Sequence, residues 1–267
     1  DSERCLRILN MSNEHLSVHL KPCFMYFGSI FFKDLKIFIS WHIKLWVAEV
    51  FLKPISGKSM ELVVEEYLLN DIIEINLVLV HTRGSTGNIK LCNLHDLLRD
   101  LFFKQVEKEE FVCAKRLYDI PQIDIHRRVC IHELDEEYAP QVMSNRSSQS
   151  PPLKRSLIID YKEVFPSLNM RLLRILKSNN RALHYGEISS VGANFWFVNL
   201  QYLAFRVDWM SISDYLSSIH LHGNLQTLVV YGAWNTKAPP KIWKMHQLKH
   251  IKFVMLDLTN PKMDERD

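Results

Sequence analysis

Cysteine is scarce and scattered: five in 267 residues, at Cys5, Cys23, Cys92, Cys113 and Cys130, with no C-x-x-C pair. That spacing excludes a dense disulfide framework and suits a reducing, cytoplasmic compartment. An excess of one charge is also missing, since 33 Lys and Arg face 30 Asp and Glu, so charge alone does not argue for a nucleic acid or an anionic membrane. No apolar stretch is long enough to span a bilayer. The most apolar run, Ile37 to Leu52, is 16 residues and includes His42, Lys44 and Glu49, where a spanning helix needs about 20 mostly apolar positions. The start of the chain carries Asp1, Glu3, Arg4 and Arg7 where a secretory signal would be apolar. Catalytic signatures are lacking too: there is no G-x-S-x-G elbow and no H-E-x-x-H, so neither a catalytic residue nor a metal ligand is assigned, and an enzyme is not expected. His15/His19 and His246/His250 fall four apart, a spacing that would align them on a helix, yet neither pair brings a third ligand.

What is present is material for packed cores, with 47% hydrophobic residues. Between His19 and Leu52 the aromatics are so dense that two helices of a bundle buried on all sides are expected. Gly57 breaks that pattern, Ser59 is placed to cap a third helix from Met60 to about Ile75, and Leu77–Val80 and Asn88–Cys92 form a hairpin around His81–Gly87. A fourth helix is expected from Asn93 or His95 through Val106. Helices, a two-stranded wing and a closing helix define a winged-helix module.

Gly57-Lys58-Ser59 mimics the end of a phosphate-binding loop, but the glycine that loop needs five positions earlier is Leu52, so helix capping is the better account. The helix before the wing holds Glu61, Glu65, Glu66, Asp71 and Glu74 without a Lys or Arg, which argues against a DNA partner. At the end of the wing stands Asn93-Leu94-His95-Asp96, where a helix start would offer free N–H groups to a phosphate while Asp96 caps it. From the residues alone, an ordinary capped helix with a surface histidine is the commoner outcome.

The second half repeats. Leu200-x-x-Leu203-x-Phe205, Leu225-x-x-Leu228-x-Val230 and Leu248-x-x-Ile251-x-Phe253 start 25 and 23 residues apart, and Leu173-x-x-Leu176 and Leu153–Ile159 extend the series imperfectly toward the N-terminus. Pro239-Pro240-Lys241-Ile242 fits the turn-rich outer side of such a unit, and the serines of Ala139–Pro152 suggest an exposed loop open to phosphorylation. The fold class expected is α+β: a helical winged-helix module over residues 1–110, a linker at 111–126, and an irregular leucine-rich-repeat solenoid over 127–267.

Leu20-Lys-Pro-Cys-Phe-Met-Tyr-Phe-Gly28, Lys44-Leu-Trp-Val-Ala-Glu49, Val64-Glu-Glu-Tyr-Leu68 and Asn70-Asp-Ile72 resemble plant nucleotide-binding leucine-rich-repeat disease-resistance proteins of the coiled-coil class, closest to the solanaceous late-blight type. Two departures stand out, Phe31-Phe32-Lys33-Asp34 without the family's proline, and Val50 where a glycine usually follows Ala-Glu. The resemblance puts Leu94-His95-Asp96 at the Met-His-Asp position, which implies that His95, supported by Asp96, contacts the terminal phosphate of bound ADP and holds the receptor closed. It also implies an ADP/ATP-controlled switch, recognition of a pathogen effector or guarded host protein through the repeats, contact with a nucleotide-binding domain, and oligomerisation on activation. The phosphate loop would lie before Asp1, so the chain reads as an internal or N-terminally truncated piece that holds nucleotide weakly by itself. The rival is a truncated repeat-containing interaction module without nucleotide binding.

Overall fold

A computed structural model describes residues 18, 20–30, 37–51, 56–64, 78–94, 106, 113–115, 127–131, 154–159, 172–178, 197–206, 219–232, 236–237, 239–253 and 256–257. The chain divides into two compact units, Asp1–Ala114 and Lys115–Asp267.

In the first unit, α1 (Lys21–Ile30) tolerates Pro22 because the first helical turn has no intrahelical use for its N–H. Cys23, Tyr26, Phe27 and Ile30 recur at helical spacing and are all buried, and Met25 is buried between them. The apolar run after it is not one helix. Ile37–Phe38 forms a short strand, β1, and α2 begins at once as Ile39–Glu49. α2 packs Ile39, Ile43, Leu45 and Trp46 inward; Phe27 lies 5.8 Å from Trp46 and edge-on to His42 at 4.6 Å, the offset geometry that aromatic rings favour.

α2 ends in a Schellman motif: Phe51 N–H bonds the Trp46 carbonyl and Val50 N–H bonds that of Val47. Val50 takes the left-handed position at φ 59, ψ 41, where glycine is normal. Ser59 then opens α3 (Met60–Val63), its hydroxyl accepting the Leu62 N–H at 3.2 Å. Val64 follows, fully buried, and the rest of the expected third helix, from residue 65, lies outside the described residues.

β2 (Val78–Arg83) and β3 (Ile89–Leu94) pair antiparallel, and β1 pairs along the other edge of β3. The wing therefore has three strands instead of the two expected, because Ile37 opposite Cys92 continues the ladder and buries an apolar pair. Its strands also run further, so Asn93 belongs to β3 and not to a helix. Gly87, at φ 81, follows Ser85 and Thr86 in the tip; its N–H reaches the Gly84 carbonyl, and Gly84 N–H reaches that of Asn88. This matches a three-residue loop closed by a glycine bulge.

The second unit is built on six strands of a seven-stranded sheet, whose first strand falls at the boundary between the units. The strands of the sheet are β4 (Cys113–Lys115), at that boundary, β5 (Arg128–Ile131), β6 (Ser156–Ile159), β7 (Ile175–Ser178), β8 (Tyr202–Arg206), β9 (Thr227–Tyr231) and β11 (His250–Phe253). They lie side by side in chain order, and each pairing from β5 to β11 is parallel. A separate parallel pair joins β10 (Thr236–Lys237) to β12 (Leu256–Asp257).

The register aligns Val129, Leu157, Leu176, Leu203, Leu228 and Ile251 in one row. Three positions before it stand Leu173, Leu200 and Leu225, all buried, but Lys154 in the β6 segment. The repeat there is thus one residue out from the Leu153 start expected, and Lys154, also buried, holds the leucine position. Both faces of the inner strands are buried: Tyr202 and Ala204 on one, Leu203 and Phe205 on the other. Two-sided burial is what parallel strands usually require.

Candidate functional site

β3 is the element that carries the chain to the predicted site. Its pairing with β2 holds Cys92 opposite Val80, Asn93 opposite Leu79 and Leu94 opposite Val78, so backbone bonding fixes the strand up to one residue before His95. His95 and Asp96 themselves lie outside the described residues, as do Asp71 and Glu74.

Alternation along β3 sorts its side chains by face. Cys92 is fully buried with Ile37, and its thiol points to the Ile37 carbonyl at 3.9 Å. Burial pushes that thiol up to about 12, and pushes Cys23 up further. Both are buried, free cysteines that pack as small apolar side chains. On the other face Phe38 and Leu79 are exposed, at 64% and 51%, beside Asn93, whose buried Oδ1 has no hydrogen-bond partner among the described residues.

Gly57-Lys58-Ser59 does what capping predicts, with the hydroxyl spent on the Leu62 N–H. This segment is therefore a helix cap, as its spacing implied. No group of three or more metal-ligating side chains occurs among the described residues. The His246/His250 pair is not helical: His246 follows the 3₁₀ helix Pro240–Lys244, and His250 opens β11. Among the described residues, no helix is long and apolar enough to cross a membrane.

The second unit has a site feature that the leucine pattern hid. Before each strand, one carbonyl accepts two N–H groups from the next segment. Arg127 accepts from Arg155 and Ser156, Arg155 from Arg174 and Ile175, Arg174 from Gln201 and Tyr202, Gln201 from Gln226 and Thr227, and Gln226 from Lys249 and His250. Side chains add to this column: Asn224 donates to the Val198 carbonyl at 2.7 Å, and Gln226 meets Gln201 at 3.5 Å.

The turns ahead of the strands repeat as well. Leu200, Leu225 and Leu248 N–H groups bond the carbonyls of Phe197, His222 and Met245. His222 stacks on Phe197 at 6.5 Å, and burial lowers its pKa against the opposing pull of a hydrogen bond to the Phe197 backbone. The amide at the same offset in three units, Asn199, Asn224 and Gln247, is the sequence signal that could have revealed this stacking. Pro239 leads into the 3₁₀ helix Pro240–Lys244, so the turn-rich segment expected there is present.

A three-stranded wing beside a pair of buried helices is the geometry of a winged helix, and comparison with known proteins gives its class. Residues 30–102 match the disease resistance protein winged helix domain. The matched residues lie within the first unit and take in α2 and the three strands of the wing. Among individual relatives, the late blight resistance protein homolog R1B-14 of Solanum demissum is 31% identical over 91% of this chain and 19% of its own length. Homolog R1B-16 of the same species is 30% identical over 91% of this chain and 19% of its length, and homolog R1B-19 is 42% identical over 39% and 8%. The chain spans about a fifth of the length of the first two.

Proposed function

We propose that this chain is the regulatory and sensing part of a plant intracellular immune receptor acting in disease resistance. Support comes from the winged-helix match and from similarity to late blight resistance homologues across nine-tenths of the chain. We further infer that the second unit is an irregular leucine-rich-repeat solenoid. Six parallel strands in chain order, with leucines in a single row, carry that inference, because each strand's apolar side is covered only when its neighbours stack.

In the intact receptor, His95 would donate a hydrogen bond to the terminal phosphate of ADP and Asp96 would orient it, with a nucleotide-binding domain supplying the phosphate loop. Bound nucleotide contributes a charge that only one of two packings satisfies, so exchange of ADP for ATP shifts the balance between closed and open states. The repeats would recognise a pathogen effector or guarded host protein, and the function is cytoplasmic and non-catalytic.

The observation that carries the clamp is the pairing of β3 through Leu94, which gives the two residues after it a fixed point of departure. Replacing His95 or Asp96 by alanine in the full-length receptor should cause cell death in leaf expression without a pathogen. Silence of both variants at normal protein levels would leave the interaction module without nucleotide binding as the better account. Retention of ADP by a longer version of the chain, and not by these 267 residues alone, is the accompanying biochemical expectation.

A further inference from the structure

The wing tip collects features that neither the clamp nor the repeats use. From Val78 to Leu94 there is no Asp or Glu, while His81, Arg83 and Lys90 are all exposed. Between the strands stand two exposed hydroxyls, Ser85 and Thr86. Arg83 reaches over the tip to the Gly87 carbonyl at 3.1 Å, and the Lys90 side chain lies close enough to Gly84 that a Cβ there would meet its Cε at 3.0 Å. Two cations therefore border an exposed loop that is held by its own short-range hydrogen bonds.

We propose that Thr86 is a phosphoacceptor for an arginine-directed serine/threonine protein kinase. Such kinases hold a basic side chain three residues before the acceptor with acidic groups of their own, and Arg83 stands at that distance from Thr86 but only two before Ser85. Thr82 is excluded because its backbone is committed to the ladder opposite Leu91. A kinase also needs its substrate locally extended. Here that means releasing two loop bonds, Gly84 N–H to Asn88 and Gly87 N–H to Gly84, together with the exposed Thr86 hydroxyl bond to Asn88 Oδ1 at 3.0 Å. Opening of an exposed hairpin tip is among the least costly motions of a folded chain.

In the reaction the Thr86 oxygen attacks the γ-phosphorus of kinase-bound ATP and the bond from that phosphorus to the ADP oxygen breaks. The hydroxyl proton passes to the kinase's catalytic aspartate. The products are phosphothreonine and ADP. The new group adds about −1.5 to −2 charge between Arg83 and Lys90, so charge-assisted bonds to those cations can replace the Arg83 bond to the Gly87 carbonyl. The tip changes from cationic to near neutral, with a tightened loop.

The test uses the full 267-residue chain, the catalytic domain of an arginine-directed serine/threonine kinase and magnesium-ATP, with peptide mass mapping of the product. A phosphate on Thr86 is expected. Thr86→Ala should abolish it, and Arg83→Gln should slow it by about tenfold, the loss of one charge-assisted contact. Amide exchange across β2 and β3 checks that both variants keep the hairpin. Absence of phosphate on the tip, modification of Ser85 in place of Thr86, or an unchanged rate in a folded Arg83→Gln chain would each overturn the proposal.

Discussion

Val50 carries a backbone conformation that costs a β-branched residue about 1–2 kcal/mol, because its Cβ crowds the neighbouring carbonyl. Half-exposed, at 51%, it gains little packing in return. Val50→Gly relieves that strain but gives back about 0.5–1 kcal/mol of unfolded-chain entropy. The net expectation is a gain of about 0.5–1 kcal/mol, read as a twofold to fivefold slowing, roughly, of amide exchange in the last turn of α2. Faster exchange would show that the side chain does more at this cap than the backbone suggests. The usual glycine at this position was the clue in the sequence, but only the φ angle says what its replacement means.

Cys92 supplies a pH dependence at the same scale. Its folded pKa, about 12, lies above the ordinary 9.0, so folding favours the protonated thiol. That contribution is whole below 9.0 and is lost as pH rises through 12, as thiolate forms ever more readily in the unfolded chain. The urea midpoint of the first unit should therefore fall between about pH 9 and pH 11, and Cys92→Ala should make that fall shallower. An identical alkaline limb in both proteins would mean that other groups set it.

Among elements, the strand stack rests on two kinds of interaction of unequal size. Leu228 is fully buried in the central row, and truncation to alanine should cost about 2–5 kcal/mol. The Asn224 bond to Val198 is exposed, and Asn224→Ala should cost no more than about 1 kcal/mol. Urea midpoints for the second unit should rank the variants in that order; equal losses would mean that the amide column carries as much as the core. The leucine spacing was legible in the sequence because burial writes directly onto side-chain type. The shared carbonyls were not, since any residue supplies a carbonyl and the long polar side chains of Arg127, Arg155, Arg174, Gln201 and Gln226 say nothing of how their backbone is used. β1 escaped for a different reason: Ile37 and Phe38 sit at the edge of a run whose aromatics fit a helix equally well, and only the partner strand decides between them.

For the molecule as a whole, the two halves could be told apart by texture, with aromatics at helical spacing giving way to short runs at intervals in the twenties. His95 and Asp96 were named from the sequence only through the family resemblance, because a histidine and an aspartate after a strand fit a plain helix cap as well, and the described strand that leads to them ends at Leu94. Charge also belongs to this scale. With a net charge of +3 and five acidic residues but no Lys or Arg between Met60 and Ile75, duplex DNA titrated at low salt should show no saturable binding. A binding constant falling steeply with salt would restore the nucleic-acid role that this acidic stretch argues against.

The doubly used carbonyls also bear on how such a chain can vary. Spacings between the aligned row residues are 28, 19, 27, 25 and 23, yet the strands stay in register. Because alignment is locked where each strand begins, the stretches between strands are free to lengthen, shorten and change composition without shifting the sheet. Novel surface can accumulate there by insertion and deletion while the scaffold beneath is inherited intact.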